Sequence, residues 1–296
     1  MKVLVTGCAG FIGSNFVDRL LAQGHSVVGV DNFSTGQHHF LKEALADPNF
    51  ELIELDLLEL ESHFHVFSEA ETVFHLAANA DVRFGTQRPR KDLEQNTIAT
   101  HNVLEAMKAN NCKRIVFSST GSVYGEAAVI PTPENAPFPI QTSLYGASKL
   151  ACEGLIAAYC EGFGFQSWVF RFVSILGERY THGHVFDFYQ KLKLDPTRLA
   201  VLGDGEQRKS YLYIQDCLDA IFMAIDKADE KVNIFNLGVD GYCRVNDSIG
   251  WICEELGAKP ELQYAGGSGM LGGGESHELQ PRTGDHSNRR SVLSSA

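Results

Sequence analysis

Two periodicities organise the apolar positions of this chain. Short β-branched or apolar runs occupy Lys2 to Thr6, Ser26 to Val30, Glu51 to Leu55, Thr72 to Leu76, Arg114 to Ser118 and Ser167 to Phe172. Longer segments at helical spacing lie between them, the first from Phe11 to Gln23. Strand-length runs separated by helices predict βαβ units and an α/β fold built on a doubly wound parallel sheet. The runs are continuously apolar, as expected of strands covered by helices on both faces. Proline-rich Ile130 to Pro139 reads as an extended loop leading to a helix that starts near Leu144. Beyond about Phe172 the pattern loosens, with candidate helices at Val185 to Lys193, Gln215 to Lys227 and Asn246 to Leu256. Residues 1–172 are therefore expected to form the main domain. Residues 173–265 should form a smaller region, with some segments returning to the first. Residues 266–296 carry few large apolar residues and no period, which predicts a disordered tail.

Composition removes several classes of function. At 44% hydrophobic and 21% charged residues the chain is an ordinary folded protein. The formal net charge of −12 opposes the phosphate attraction on which nucleic-acid binders depend. No DNA or RNA partner is expected. The chain has no apolar run of membrane-spanning length, and glycines interrupt the start where a signal peptide needs an unbroken apolar stretch. A cytoplasmic protein with no membrane partner is the expectation. The seven cysteines include no CxxC pair and no His/Cys cluster at zinc spacing, so reduced thiols and no metal are expected.

The first strand runs directly into Gly7, Gly10 and Gly13 and then into an amphipathic helix. Glycines there allow a tight turn, close approach of backbone N–H groups to a pyrophosphate and tight packing of helix on strand, while the helix dipole favours the negative charge. A glycine-rich turn alone would mean little; strand before and helix after give it the dinucleotide context of a Rossmann-type sheet. Asp31 ends the second strand about 20 residues further on, where a carboxylate can accept hydrogen bonds from the adenosine ribose hydroxyls. The residues after it, NFSTGQ, contain no Arg or Lys for a 2′-phosphate, which favours NAD over NADP. The plain alternative is an aspartate that merely makes a turn.

Tyr145 and Lys149 stand four apart in YGASK at the start of a helical segment, so the ammonium can lie beneath the phenol and stabilise a phenolate. A chance pair at this spacing is expected roughly 0.4 times in such a chain, so context decides. The pair lies one βα unit after RIVFSST, whose carboxyl end would project Ser118, Ser119 and Thr120 into the crevice where open α/β sheets bind ligands. Those hydroxyls could equally be strand-end caps.

TGCAGFIGS, DNFSTG, HLAANADVR, FSSTGSVYGE and SLYGASK resemble, in order and spacing, the motifs of the extended short-chain dehydrogenases/reductases, and most of all those of the UDP-glucose 4-epimerases. The match covers about Lys2 to Tyr264. The resemblance implies 4-epimerisation of a nucleotide sugar of the UDP-glucose/UDP-galactose type, through a transient 4-keto intermediate, with bound NAD. It implies Thr120, Tyr145 and Lys149 as catalytic residues. Cofactor contacts would come from Gly7, Gly10, Phe11, Ile12, Gly13, Asp31, Asn32, Phe33, Ser34, Thr35, Gly36, Asp56, Leu57, Leu76, Ala77, Ala78 and Asn96, with Tyr145 and Lys149 shared. Substrate contacts would come from Arg83, Thr120, Ser174 and Lys209. A homodimer is implied, pairing helices Asp92 to Ala109 and Leu144 to Glu161 across a two-fold axis. His75 is then a strand-end residue, and His182 with His184 lacks a third ligand for a metal.

The substrate half departs from that pattern. Ser174 stands where relatives commonly carry asparagine, and Lys209 with Ser210 where an Arg-Asp pair is usual; lysine keeps the charge but loses the bidentate fork for phosphate. After YAGG the usual Arg, Asp and terminal helix are not recognisable, which reads as a truncated or frame-shifted end, or as an authentic flexible tail. Rival readings are a nucleotide-sugar dehydratase, decarboxylase or reductase of the same family, and a non-catalytic NAD-binding regulator. The resemblance implies a Thr-Asp-Glu run in the dehydratases, and this chain has Thr120, Gly121 and Ser122 there, which favours epimerisation.

Overall fold

The computed structural model describes residues 1–80, 85, 87–137 and 140–265; Arg83 and the segment 266–296 lie outside the described residues. Strand β1 (Lys2–Thr6) turns at the glycines into helix α1 (Phe11–Ala22), which returns to β2 (Ser26–Asp31) and β3 (Phe50–Glu54). β4 (Thr72–His75) follows, then α2 (Pro89–Asp92), a π-helical segment (Leu93–Ile98) and α3 (Ala99–Ala109). β5 (Arg114–Thr120), α4 (Leu144–Phe163) and β6 (Gln166–Phe172) complete the next unit. The remainder comprises β7 (Ser174–Leu176), α5 (His184–Leu194), β8 (Arg198–Leu202), β9 (Arg208–Lys209), β10 (Tyr211–Tyr213), α6 (Ile214–Lys227), β11 (Val232–Leu237), β12 (Cys243–Arg244), α7 (Val245–Leu256) and β13 (Glu261–Ala265).

Seven strands form one parallel sheet in the order β11-β6-β5-β4-β1-β2-β3. The chain winds outward from β1 in one direction and then, from β4, in the other. This is the doubly wound Rossmann topology, with its switch point between β1 and β4. Successive side chains of a strand point to opposite faces. Val3 and Val5 accordingly pack with Phe16, Leu20, Phe74, Leu218 and Ile221 under α1 and α6, while Leu4 packs with Val73, Leu104, Met107, Phe117 and Ile156 under α3 and α4. Both faces are covered, and the apolar run of β1 follows from that.

Three departures from the sequence reading have physical causes. β3 begins at Phe50, one residue early, and none of its residues is fully buried, because it is the edge strand. β5 continues past Ser118: Ser119 and Thr120 pair with Arg171 and Phe172 of β6, so two hydroxyl residues that end the apolar run still lie in the ladder. β11 was not among the expected strands. Its apolar run is broken by Asn233 and Asn236, both buried; Asn233 donates to the carbonyls of Ser167 and Glu230, and Asn236 to that of Thr132.

The smaller region has its own core, in which Phe188 and Leu192 of α5 meet Ile249 and Ile252 of α7 over Leu199 and Val201 of β8. α6 and β11 instead pack on the main sheet, so the chain crosses between the two parts after Phe172. No helix among the described residues is long and apolar enough to cross a membrane.

His75 is fully buried and joins three elements. Thr6 Oγ1 lies 2.7 Å from Nδ1, and Nε2 lies 2.9 Å from Thr100 Oγ1. Thr6 Oγ1 already accepts from the N–H groups of Leu76 and Ala77 at 3.2 and 3.3 Å, so its own proton goes to Nδ1 and the imidazole carries its proton on Nε2. Burial, and then the charge of Lys149, push the imidazole down to about 3 from 6.5. Between those values the unfolded chain binds the proton and the folded chain does not. Stability from this group is therefore lost as pH falls through that window, by at most about 1.4 kcal/mol per pH unit. His75→Gln is expected to flatten the fall of the thermal midpoint between about pH 6.5 and 5. Equal slopes for the two proteins would contradict this.

Candidate active site

A cavity of about 660 Å³ opens along the carboxyl ends of the strands, from the glycine turn to the end of β5. Its position at the switch point is where open α/β sheets bind ligands. Gly7, Gly10, Phe11, Ile12 and Gly13 form one wall. Gly7 has φ +71°, and a β-carbon there would stand 2.7 Å from the backbone nitrogen of Ala77; one at Gly13 would collide with the carbonyl oxygen of Gly7. Only hydrogen fits at either place. Gly10 precedes α1 as a cap with no side chain, which leaves the first-turn N–H groups of the helix for a ligand.

Asp31 lines the same end and is nearly buried. Its Oδ2 accepts from Ala9 N–H at 2.9 Å and its Oδ1 from Phe33 N–H at 2.8 Å. Burial raises its pKa while those two hydrogen bonds oppose the rise. Each oxygen keeps a lone pair, so the carboxylate ties the glycine turn to the end of β2 and can still accept from a ligand hydroxyl. Asn32, Ser34, Thr35, Gly36, Leu57, Leu76, Ala77 and Ala78 also line the cavity. Phe33 does not line it but stacks on His38 at 3.7 Å between ring centroids. Asp56 stands behind the wall, accepting from Asn32 Nδ2 at 3.0 Å and capping the turn at Leu58 N–H at 2.9 Å.

At the other end Thr120, Tyr145 and Ser174 line the cavity. Ser143 caps α4 by accepting from Gly146 N–H at 3.0 Å, which places Tyr145 in its first turn. Thr120 Oγ1 donates to Ser122 Oγ at 3.2 Å and accepts from Ser122 N–H at 3.1 Å, and its hydroxyl favours the ionised form of the Tyr145 phenol. Burial pushes the phenol up to about 12; the Thr120 hydroxyl works against that, and the nearby charge of Asp92 adds to it. Lys149 lies beneath, 2% exposed, donating from Nζ to the Ser118 carbonyl at 2.7 Å, with Nζ 4.6 Å from the Phe117 ring centre. Burial lowers it to about 8, against Cys152 and Glu153.

Asn96, in the π-helical segment, is buried behind the wall rather than in it. Its Oδ1 accepts from Asn79 N–H and its Nδ2 donates to Ser148 Oγ, each at 2.8 Å; Ser148 Oγ donates to the Tyr145 carbonyl. Asp92 Oδ1 accepts from Asn79 Nδ2 at 2.7 Å, and its Oδ2 is buried without a hydrogen-bond partner. Lys209 does not line the cavity; it sits on β9 opposite Cys243, where its charge adds to burial in pushing the His184 imidazole down to about 4. Among the described residues no group of three His, Cys, Asp or Glu could hold a metal. The sequence reading missed Asn79, Lys91, Gln95 and the turn Tyr180 to Gly183, all of which line the cavity. Asn79 stood within HLAANADVR and was within reach; the turn after β7 has no period to reveal it.

A model of the NAD dependent epimerase/dehydratase family matches residues 3–238. The chain belongs to this family. It is accordingly an enzyme of an NAD-dependent family whose members include epimerases, dehydratases and decarboxylases. UDP-glucose 4-epimerase of Mycolicibacterium smegmatis is 33% identical over 269 residues, covering 89% of this chain and 85% of that protein. UDP-glucuronic acid decarboxylase 2 of Arabidopsis thaliana is 32% identical over 248 residues, 81% of this chain and 54% of that one. The crystal structure of Thermus thermophilus UDP-glucose 4-epimerase in complex with NAD superposes with a TM-score of 0.81 at 29% identity, covering 95% of this chain and 90% of that one.

If the family cofactor depends on the bare backbone at Gly13, Gly13→Ala should cost about 1–3 kcal/mol through overpacking and should weaken NAD binding. Gly250→Ala, on α7 with nothing near its β-carbon, should leave both unchanged or slightly raise stability. Thermal melts and calorimetry check both; equal behaviour of the two variants would refute the packing argument.

Proposed function

We propose that the chain interconverts the C4 epimers of a nucleotide sugar of the UDP-glucose/UDP-galactose type. The observation that carries this reading is the lining of the cavity: among the described residues Asp31 is its one carboxylate, and it lies at the glycine end. A dehydratase needs carboxyl groups beside the reacting sugar to remove one proton and deliver another. Thr120 is followed by Gly121 and Ser122 instead.

The cavity fits NAD: the glycines leave backbone where β-carbons cannot go, Asp31 can take ribose hydroxyls, and the uncapped start of α1 suits a pyrophosphate. Bound NAD contributes reversible two-electron oxidation of the sugar carbon. Tyr145 takes the proton of the C4 hydroxyl as that carbon is oxidised to the ketone, and returns it when the carbon is reduced from the opposite face. Thr120 holds the phenol and the substrate oxygen in line. The ammonium of Lys149, fixed on the Ser118 carbonyl, supplies positive charge behind the phenol and so favours its ionised form. Ser174, lining the cavity, would meet the substrate; Lys209 and Arg83 are further candidates for its phosphates.

The decisive experiment incubates the protein with UDP-glucose, UDP-N-acetylglucosamine, UDP-glucuronate and their C4 epimers, then with GDP-, CDP- and dTDP-sugars, following products by NMR. Interconversion of C4 epimers with no net NADH is expected. A 4-keto-6-deoxy sugar or release of carbon dioxide would overturn the reading. Tyr145→Phe should lower turnover by roughly 10² to 10⁴ while leaving NAD binding largely intact; near-normal turnover would mean another group is the base.

A homodimer through the segments Asp92 to Ala109 and Leu144 to Glu161 completes the proposal. Leu93, Ile98, Leu144 and Phe163, on or beside them, are exposed apolar residues. Light scattering should give twice the chain mass of 32.6 kDa; a monomer at micromolar concentration would contradict it.

A further inference from the structure

Behind Thr120 and Lys149 lies an ion pair that the proposed reaction does not use. Arg171 is 1% exposed and Glu153 6%, and two hydrogen bonds join them, Nη2 to Oε2 at 2.7 Å and Nε to Oε1 at 3.1 Å. Glu153 Oε1 also accepts from Ser119 Oγ. Arg171 Nη1 donates to Tyr124 Oη at 2.5 Å and to the Glu134 carbonyl at 3.0 Å, and Tyr124 Oη donates to Asn236 Oδ1 at 2.9 Å. One buried network thus joins β5, β6, β11, α4 and the loop before α4.

Its placement is specific. Tyr145, Lys149 and Glu153 recur every four residues on α4, so they share one face of the helix. Each answers to one of three consecutive residues at the end of β5: Lys149 donates to the Ser118 carbonyl at 2.7 Å, Glu153 accepts from the Ser119 hydroxyl, and the Thr120 hydroxyl favours the ionised form of Tyr145. Arg171, paired with Ser119 in the ladder, holds the carboxylate from the next strand.

We propose that Glu153 and Arg171 are positioning residues: the buried pair pins Ser119 to α4 and thereby holds the Ser118 carbonyl at the Lys149 ammonium and the Thr120 hydroxyl at Tyr145. The inference rests on the roles proposed above for Tyr145 and Lys149. Electrostatics agree with the geometry. Lys149 interacts with Cys152 and Glu153 on its own helix and with His75 from β4, and Arg171 from β6 stands behind Glu153; Glu153 is among the groups that keep its proton on against burial.

Glu153→Gln keeps the shape and an oxygen for Ser119 but removes the charge. In the NAD-loaded protein, with the Lys149 resonance assigned by its absence in Lys149→Arg, titration of ¹³Cε-labelled lysine should show the Lys149 midpoint about one pH unit lower than in the parent. This needs no substrate, so it stands apart from whether a sugar is epimerised. On the substrate found in the panel, kcat should fall about tenfold or more with KM within about threefold, and the alkaline limb of the kcat profile should move the same way as the midpoint. Arg171→Lys, which keeps a positive charge but loses the fork, should lower kcat with the limb in place. If circular dichroism shows Glu153→Gln unfolded, Ser119→Ala carries the test, with kcat down about threefold or more at steady KM. An unshifted Lys149 midpoint, or parental kcat in a folded variant, overturns the proposal. Should no sugar turn over, the proposed function fails and the Lys149 titration still decides this one.

Discussion

Helix α1 approaches the end of β1 so closely that a β-carbon at Gly13 would strike the carbonyl oxygen of Gly7. The rest of the cavity hangs on that contact. Gly7 N–H donates to the Val30 carbonyl at 2.8 Å, fastening the turn to β2, and Asp31, one residue on, accepts from Ala9 N–H. On the other side the same turn abuts Ala77, whose N–H, with that of Leu76, is held by Thr6. Three strand ends therefore meet at one glycine turn without a side chain between them, and the space left in front is bounded by backbone. A helix N-terminus is useful to an anion only if the ligand can reach its N–H groups. The missing side chains are what provide that reach.

Polar groups are buried around this edge in three linked sets. Thr6, His75 and Thr100 hold β1, β4 and α3. Asn79, Asn96 and Ser148 hold the chain after β4 to the π-helical segment and to the start of α4. Ser119, Glu153 and Arg171 hold β5, α4 and β6. A buried polar group costs free energy unless it is hydrogen-bonded, and here nearly every one of these side chains finds a partner on a different element. Asp92 Oδ2 is the exception within the second set, and its charge bears on Tyr145. An incompletely satisfied carboxylate beside a phenol is a local cost set at the point where proton transfer is proposed.

Much of this was legible in the chain, for reasons that can be named. The doubly wound sheet followed from continuous apolar runs separated by helical periods, because burial on both faces leaves no room for polar alternation. The glycine turn and Asp31 were legible because backbone geometry demands particular residues there. Tyr145 and Lys149 were legible because a helix converts a spacing of four into proximity. What stayed hidden lacks a local signature. β11 is broken by two asparagines whose hydrogen bonds are long-range, so composition alone argues against a strand. Asp56, Phe33, Asn96 and Lys149 all sit next to the cavity without lining it, a distinction of one layer that no period encodes. Lys209 does not line the cavity; it lies on a two-residue strand whose partner, β12, is far along the chain.

The ion pair between Arg171 and Glu153 shows why stability is a poor guide to what a residue is for. Removing two charges from water costs several kcal/mol per ion, and the attraction regained inside a protein only roughly offsets it. Apolar residues of similar volume would serve the fold about as well, yet removing one partner alone would cost about 3–5 kcal/mol, because the other charge would stay buried. Such a pair therefore contributes little net stability while imposing a strict geometry: a planar guanidinium and a carboxylate accept each other in few orientations. A leucine in place of Glu153 could fill the same volume between α4 and β6 but could not grip the Ser119 hydroxyl. At the end of β5, orientation is what matters, since Ser118, Ser119 and Thr120 each present a different atom to α4. The pair makes physical sense as a way of trading solvation for direction at a strand end that faces the cavity with hydroxyl groups.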